Sequence, residues 1–340
     1  MDTPRRIVVI GASAGGIEAL RELVRGLPAE FPAPIAVVLH TSPQAPGVLH
    51  DILDRSGPLA GTDPGNGDRL RAGHIYVAPP DHHLLIEPGR IRLSRGPKEN
   101  RFRPAIDPLF RTAAQVYGPA AIGVILTGNL DDGTAGLWAI KQLGGTAVVQ
   151  DPADALFPSM PLSAARHVSV DYCVPLREMP ALLTGLAARP LAAPDAAQPP
   201  AGRDERMEVE IRIAKEENPV SPEFERHAHP SPFACPECHG VLHSLKEAGR
   251  IRFRCHTGHA YSLESLLAEV HEGIETALWS AVRALQEGGL LVQEVSQHLG
   301  GQHADHTGAS LAARARHLRE SAAAVRAILT ATPALVESEP

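Results

Sequence analysis

The sequence predicts a doubly wound α/β domain with a mostly parallel sheet and an antiparallel edge hairpin, followed by a small cysteine-containing module and C-terminal helices. Three observations predict it. Over residues 5 to about 188, short apolar runs alternate with helical patterns, as repeated βα units do. The composition then turns to alanine and proline, with Pro190, Pro194, Pro199 and Pro200 before Gly202, as in a linker. Beyond it three of the four cysteines lie close together beside histidines, and long helical patterns follow.

The elements can be justified in order. Ile7, Val8, Val9 and Ile10 form an apolar strand that enters the turn Gly11-Ala12-Ser13-Ala14-Gly15-Gly16. Leu20, Leu23, Val24 and Leu27 then share one helical face. A second apolar run, Pro34 to Leu39, ends in His40, and a short helix is expected over 48–53. Gly73 to Ala78 is a strand stopped by Pro79-Pro80, and residues 83–93 read as a hairpin across Pro88-Gly89. The hairpin is expected to add antiparallel strands to the parallel sheet.

Asp107 before Pro108 has the signature of a helix N-cap. Ala121 to Leu126 is a strand running into Thr127-Gly128-Asn129-Leu130-Asp131-Asp132-Gly133, and a helix is expected over 134–143. Thr146 to Gln150 and Asp171 to Val174 are the last strands, with Cys173 read as a buried small hydrophobe. Met207 to Ile213 alternates apolar and charged residues as one strand would, over a run too short to decide. Leu263, Leu266, Leu267, Val270, Ile274, Leu278, Val282 and Leu285 mark a long helix, and 311–329 another, suited to a helical hairpin, an association surface or packing onto the cysteine module.

Composition narrows the function. A chain of 340 residues with 44% hydrophobic content has room for one large domain and a smaller one. Its net charge of −7 argues against a dominant nucleic-acid footprint or a basic membrane-binding surface. Arg5-Arg6 before an apolar run resembles a secretory leader, but Ile7 to Ile10 is too short for one. No run approaches the roughly 18 apolar residues of a spanning helix, so a cytoplasmic protein with reduced cysteines is expected.

Two constellations carry chemistry. The first is Ser13 at the first strand end, His40 at the second and the Asp131-Asp132 pair after a third. In a parallel sheet such strand ends open on one edge, where a serine, a histidine and an aspartate can act as nucleophile, base and orienting carboxylate. Gly11-Ala12-Ser13-Ala14-Gly15 matches the GxSxG elbow, yet the order serine, histidine, acid is not that of an α/β-hydrolase. A phosphate-cradling loop is the rival reading, but the spacing is not GxGxxG and His40 stands where a ribose-binding acid would.

The second constellation is Cys235-Pro236-Glu237-Cys238 followed by Cys255-His256-Thr257-Gly258-His259. A CxxC knuckle and a second thiolate–imidazole pair supply four donors for a tetrahedral, zinc-ribbon-like site. Cys235, Cys238 and Cys255 would ligate with His259, favoured by CxxxH spacing, or His256; His239 is a weaker candidate. Four protein ligands leave no open position, so such a zinc is structural and catalysis needs no cofactor.

Over residues 7 to about 186 the chain resembles the catalytic domain of the CheB-type chemotaxis methylesterases. The matching segments are VVIGASAGGIEAL, the strand ending in Leu39-His40, GHIYVAPPDHHL, RPAIDPLF, VILTGNLDDGTAGL and FPSMP. The resemblance implies a protein-glutamate methylesterase acting on chemoreceptors, with glutamine deamidation as a second reaction. It places the triad on Ser13, His40 and Asp132, since the family's acid immediately precedes the glycine, here Gly133. It also places oxyanion donors at the main-chain amides of Asn129, where methionine is usual, and of Ala14 at the start of the first helix. Ala14 stands where threonine is common. The first strand begins near residue 6, leaving no segment for the receiver domain of the family's regulated members, so phosphorylation control in cis is not expected.

The expected organisation is a catalytic domain over 1–187, a linker over 188–232, a zinc-ribbon-like module over 233–262 and a helical tail over 263–332. Arg101, Arg103 and Arg111 are candidates for steering an acidic receptor, and the C-terminal helices for binding a partner or a second copy. A tail covering the active-site cleft is a further expectation. The alternative is a non-catalytic signalling adaptor that uses the α/β domain and tail for docking.

Overall fold

The computed structural model describes residues 5–191, 205–217, 222–247, 249–299 and 307–331. The N-terminal strands in chain order are β1 (Ile7–Ala12), β2 (Ile35–Leu39), β3 (Ala60–Thr62), β4 (His74–Val77), β5 (His83–Glu87), β6 (Arg90–Ser94), β7 (Ala121–Ile125), β8 (Thr146–Gln150) and β9 (Tyr172–Val174). Seven of them form one sheet in the order β3-β4-β2-β1-β7-β8-β9, and all its pairings are parallel. The helices of this region are α1 (Gly16–Arg25), α2 (Leu49–Asp54), α3 (Ile106–Tyr117), α4 (Thr134–Gln142), α5 (Ser159–His167) and α6 (Met179–Ala188).

Alternation along β1 explains why both faces are covered. Val8 and Ile10 pack with Leu20 and Leu23 of α1 and Leu183 of α6, while Ile7 and Val9 join the core formed by Ile106 and Phe110 of α3 and Leu137 of α4. A strand buried on both faces reads as a continuous apolar run, which is how β1, β2 and β7 appear in the sequence. Connections leave β1 toward β2 on one side and return as β7 on the other. The C-terminal end of β1 is therefore the crevice where open α/β sheets bind ligands.

Several expectations need correction. Strands β5 and β6 form a separate two-stranded sheet, with a further antiparallel bridge from Arg90 to Arg69, and do not extend the seven-stranded one. Residues 207–213, whose short alternation leaves a strand undecided within the expected linker, lie in helix α7 (Glu205–Ala214), whose Met207 and Ile211 join the core on the α3 face. Burial against α3 overrides the local alternation. The linker also contains α8 (Pro222–His227), while 192–204 and 218–221 lie outside the described residues. Cys173 is exposed, because β9 is an edge strand. Asp107 is not the cap: Ala105 occupies the N-cap position of α3, and Asp107 is buried as its second residue, within the first turn.

The cysteine module is a four-stranded antiparallel sheet, β10 (His229–Ala234), β11 (Val241–Glu247), β12 (Arg250–Cys255) and β13 (Ala260–Ser262), in that order. It belongs to the same compact unit as the α/β domain, residues 1–266. Alternation along β12 places Arg250, Arg252 and Arg254 on one face, against acids of the α/β domain. Arg252 reaches Asp107 (3.0 Å), Glu247 (3.0 Å) and Glu99 (3.2 Å); Arg254 pairs with Glu210 of α7 and with Glu99 (3.2 Å). Arg111 of α3 completes the cluster with Glu99 (2.8 Å) and Glu247 (3.2 Å).

Burial alone would raise the Glu99 carboxyl, but the guanidiniums of Arg111, Arg254 and Arg252 overcome it and hold the group well below its ordinary range. The folded state then binds fewer protons than the unfolded chain. The stability contributed is complete above the unfolded value of 4.5 and is lost as pH falls toward the folded one. Thermal unfolding followed from about pH 6 down to about pH 3 should show the melting temperature falling below about pH 4.5, with a shallower fall in Glu99→Gln. An equally steep acid limb in that variant would contradict the assignment.

The second compact unit, residues 267–340, contains most of α9 (Leu263–Leu299) and all of α10 (Thr307–Ala331). Within it the helices pack on each other: Leu318 and Ala315 lie against Gly288 and Gly289, and Val282, Ala315 and Ala322 are buried. Among the described residues no helix is long and apolar enough to cross a membrane.

Candidate active site

Ser13 follows the last residue of β1, and its amide donates to the Thr127 carbonyl at 3.0 Å. Gly15, with φ 71°, makes the left-handed turn that sends the chain into α1 and leaves the hydroxyl uncrowded. His40 follows β2, its amide bonded to the Ala12 carbonyl at 3.2 Å. Asp132 comes from the β7–α4 loop, where Gly133 (φ 90°) starts α4. The parallel register of β2, β1 and β7 thus delivers the three residues to one edge.

There they are within bonding reach. Nδ1 of His40 lies 3.1 Å from the Ser13 hydroxyl and Nε2 lies 2.8 Å from Asp132. A carboxylate only accepts, so Nε2 carries the ring proton and Nδ1 presents its lone pair to the serine, the tautomer a general base needs. Phe102 stacks on the imidazole with ring centroids 3.7 Å apart and planes 6° from parallel. The serine hydroxyl is half-buried, while the imidazole is only 3% exposed.

Asp132 is built to stay ionised. It accepts from the Ile106 amide at the start of α3 (2.7 Å) and from Asn100 Nδ2 (2.8 Å), besides His40. Burial favours the neutral acid, but the His40 hydrogen bond and charge, then the two other donors, bring the carboxyl below its ordinary value. Neighbouring Asp107 goes the other way. Burial and the Asp132 charge push it up to about 7. Asp131, the other half of the pair, points elsewhere, to Arg250 and Ser262.

Opposite the serine, Gly128 lies so close that a Cβ there would sit 2.8 Å from Ser13 Cβ. Its amide is bonded to the Phe157 carbonyl (2.9 Å), and Thr127 Oγ1 ties Phe157 to the Ala14 carbonyl (3.0 Å). The next amide along, Asn129, and that of Ala14 have no acceptor among the described residues, and the Asn129 side chain is exposed. Leu156 and Phe157, both exposed, rest against Gly15 and form an apolar rim beside the hydroxyl.

The remaining candidates divide sharply. Arg111 is 1% exposed inside the acidic cluster and Arg103 is held by Asp81, so neither is a free surface charge. Arg101 has a partner as well. The donor atoms of Cys235, Cys238, Cys255 and His259 gather in one cluster, and the separations Cys235 Sγ–His259 Nδ1 (3.7 Å), Cys238 Sγ–Cys255 Sγ (3.6 Å) and Cys255 Sγ–His259 Nδ1 (3.6 Å) are close to the edge, roughly 3.7 Å, of a tetrahedron with metal–sulfur bonds of about 2.3 Å. The cluster uses His259 and not His256, whose ring lies against Gly240, nor His239, whose amide turns back to the Cys235 carbonyl (2.8 Å).

Sequence reasoning missed Asn100, Phe102 and the role of Asp107. The first two sit in an irregular loop with no periodicity, and nothing in their spacing from His40 or Asp132 marks them.

This arrangement defines a serine hydrolase-like site on a doubly wound α/β domain. The profile of the CheB methylesterase family matches residues 8–183, and the chain belongs to that family. It is 42% identical over 180 residues to a putative protein-glutamate methylesterase/protein-glutamine glutaminase of Leptospira interrogans, covering 53% of this chain and 93% of that one. It is also 42% identical to protein-glutamate methylesterase/protein-glutamine glutaminase 2 of Anaeromyxobacter dehalogenans, of whose length it spans 53%. The crystal structure of the Thermotoga maritima CheB methylesterase catalytic domain superposes with a TM-score of 0.51 at 36% identity, over 53% of this chain and 98% of that domain.

Proposed function

We propose that this chain hydrolyses glutamate methyl esters on methyl-accepting chemoreceptors or similar signalling proteins in the cytoplasm, through Ser13, His40 and Asp132. The observation that carries the reading is the continuous contact from the Ser13 hydroxyl through both ring nitrogens of His40 to Asp132. Nδ1 takes the hydroxyl proton as Oγ attacks the ester carbonyl, and Asp132 holds the ring and balances its charge. The oxyanion is met by the amides of Asn129 and Ala14, which have no acceptor among the described residues.

Collapse of the tetrahedral intermediate expels the methoxy group, which leaves as methanol with the proton from His40. Water, deprotonated by the same ring, then attacks the acyl-serine and releases the glutamate carboxylate. A glutamine amide would follow the same course with ammonia as leaving group. The half-buried hydroxyl and the rim of Leu156 and Phe157 suit a side chain presented from an exposed helix.

The Cys3His cluster holds a structural zinc in this reading, with all four positions filled by protein and none left for substrate. Metal analysis of the purified protein should find about one zinc per chain, lost in Cys238→Ser. The activity is tested by methanol release from methylated receptor, with Ser13→Ala as control. No methanol from the wild-type protein, across receptors and methylated glutamate peptides, would overturn the proposal.

A further inference from the structure

Residues 98–102 touch both the triad and the cysteine module. On the triad side, Asn100 Nδ2 donates to Asp132 (2.8 Å) and to Asp107 (3.0 Å), while Phe102 stacks on His40. On the module side, the Asn100 amide donates to the Ala260 carbonyl (2.8 Å) and the Ala260 amide to the Lys98 carbonyl (3.1 Å). Glu99 thereby pairs with Ala260 in parallel, a short extra strand beside β13. Lys98 Nζ bonds Glu237 (2.6 Å), inside the Cys235–Cys238 knuckle.

The orientation of the Asn100 amide group follows from these contacts. Its Oδ1 accepts from the Ser262 amide (2.9 Å) and from Ser265 Oγ (3.3 Å). A main-chain N–H can only donate, so Oδ1 must face Ser262 and both N–H bonds of Nδ2 are left for the two carboxylates. Asn100 is 2% exposed, and both polar atoms of its side chain are engaged. Without the two serines the amide could turn, putting its oxygen against a carboxylate.

We infer that Asn100 and Phe102 are positioning residues for the triad and that the metal-holding module is the clamp that sets them, so esterase turnover depends on a metal that never meets the substrate. This rests on the methylesterase reading for its rate effects but not for its structural ones. Asn100 fixes the carboxylate that fixes the imidazole; Phe102 fixes the plane of the ring. The clamp reaches them through Ala260, Ser262 and Glu237, each within a few residues of a proposed ligand.

The test uses the full chain and three readouts: methyl-ester turnover, the rate at which a small p-nitrophenyl ester acylates Ser13 with release of p-nitrophenolate, and amide hydrogen exchange over residues 98–104. Asn100→Ala should fold and should lower kcat and the acylation rate by about a hundredfold, with KM within about twofold. Asn100→Asp keeps the shape but adds negative charge beside Asp132 and His40. It stabilises the imidazolium, so the acid limb of the kcat/KM profile moves to higher pH, which a loss of folded protein would not do.

Cys238→Ser, or zinc removal by a chelator, should raise exchange over 98–104 and slow Ser13 acylation while β1, β2 and β7 stay protected. Ser265→Ala, a milder change, should shift the same readouts in the same direction. Wild-type acylation and pH profile in folded Asn100→Ala and Asn100→Asp would overturn the positioning role. A loop that stays protected after the metal is gone would overturn the clamp. A wild-type protein that acylates normally yet releases no methanol would count against the methylesterase reading alone, and loop opening on zinc removal would still support the clamp.

Discussion

Ser13→Ala is expected to fold as the wild-type protein does and to lose at least about a thousandfold in methyl-ester turnover. The hydroxyl is half-buried and its one hydrogen bond is to His40, so its removal strands no buried partner and leaves the turn at Gly15 untouched. What remains in the variant is whatever the amides of Asn129 and Ala14 contribute by polarising the carbonyl. Methanol release under saturating substrate, with thermal unfolding as the folding control, checks it. Turnover within tenfold of wild type in a folded variant would remove Ser13 as the nucleophile.

Arg111→Ala is expected to destabilise the folded chain by about 3–5 kcal/mol. The guanidinium lies within 4 Å of Glu99, Glu247, Asp107 and Glu210, and the side chain is 1% exposed. Removing it leaves buried carboxylates facing one another with only Arg252 and Arg254 to offset them. Chemical denaturation reads the loss directly. A change below about 1 kcal/mol would mean that the cluster is hydrated and that its ion pairs behave as surface pairs do. Receptor affinity, by contrast, should not respond beyond the loss of folded protein, since no Arg111 atom is available to a partner.

These two residues also mark how far the sequence can be read. Ser13, His40 and Asp132 are legible because each stands at the end of a strand whose apolar run is unmistakable, and parallel strand ends share an edge. The family resemblance then chooses Asp132 over Asp131, and the structure shows why the choice matters: one carboxylate meets His40 and the other meets Arg250 and Ser262. Arg111 is not legible. On a helix wheel it looks like a polar residue on an exposed face, and only the later docking of β12 turns that face inward.

The same cause hides α7. Met207, Val209, Ile211 and Ile213 alternate as strand residues do, and a helix forms because Met207 and Ile211 face α3 while Val209 and Ile213 pack with Phe224. Such pairings between distant segments leave no periodic trace. Asn100 and Phe102 are missed for a related reason: their contacts are set by the shape of a loop, and loop geometry is not written in spacing.

The short bridge between Glu99 and Ala260 means that the boundary between the catalytic domain and its C-terminal module is not a single point along the chain. A chimera made by exchanging everything after the alanine- and proline-rich stretch would carry the new sheet onto an unmatched docking strand. Grafting the module onto another family member would need residues 98–102, with Arg111 and α7, to travel with it as one discontinuous cassette.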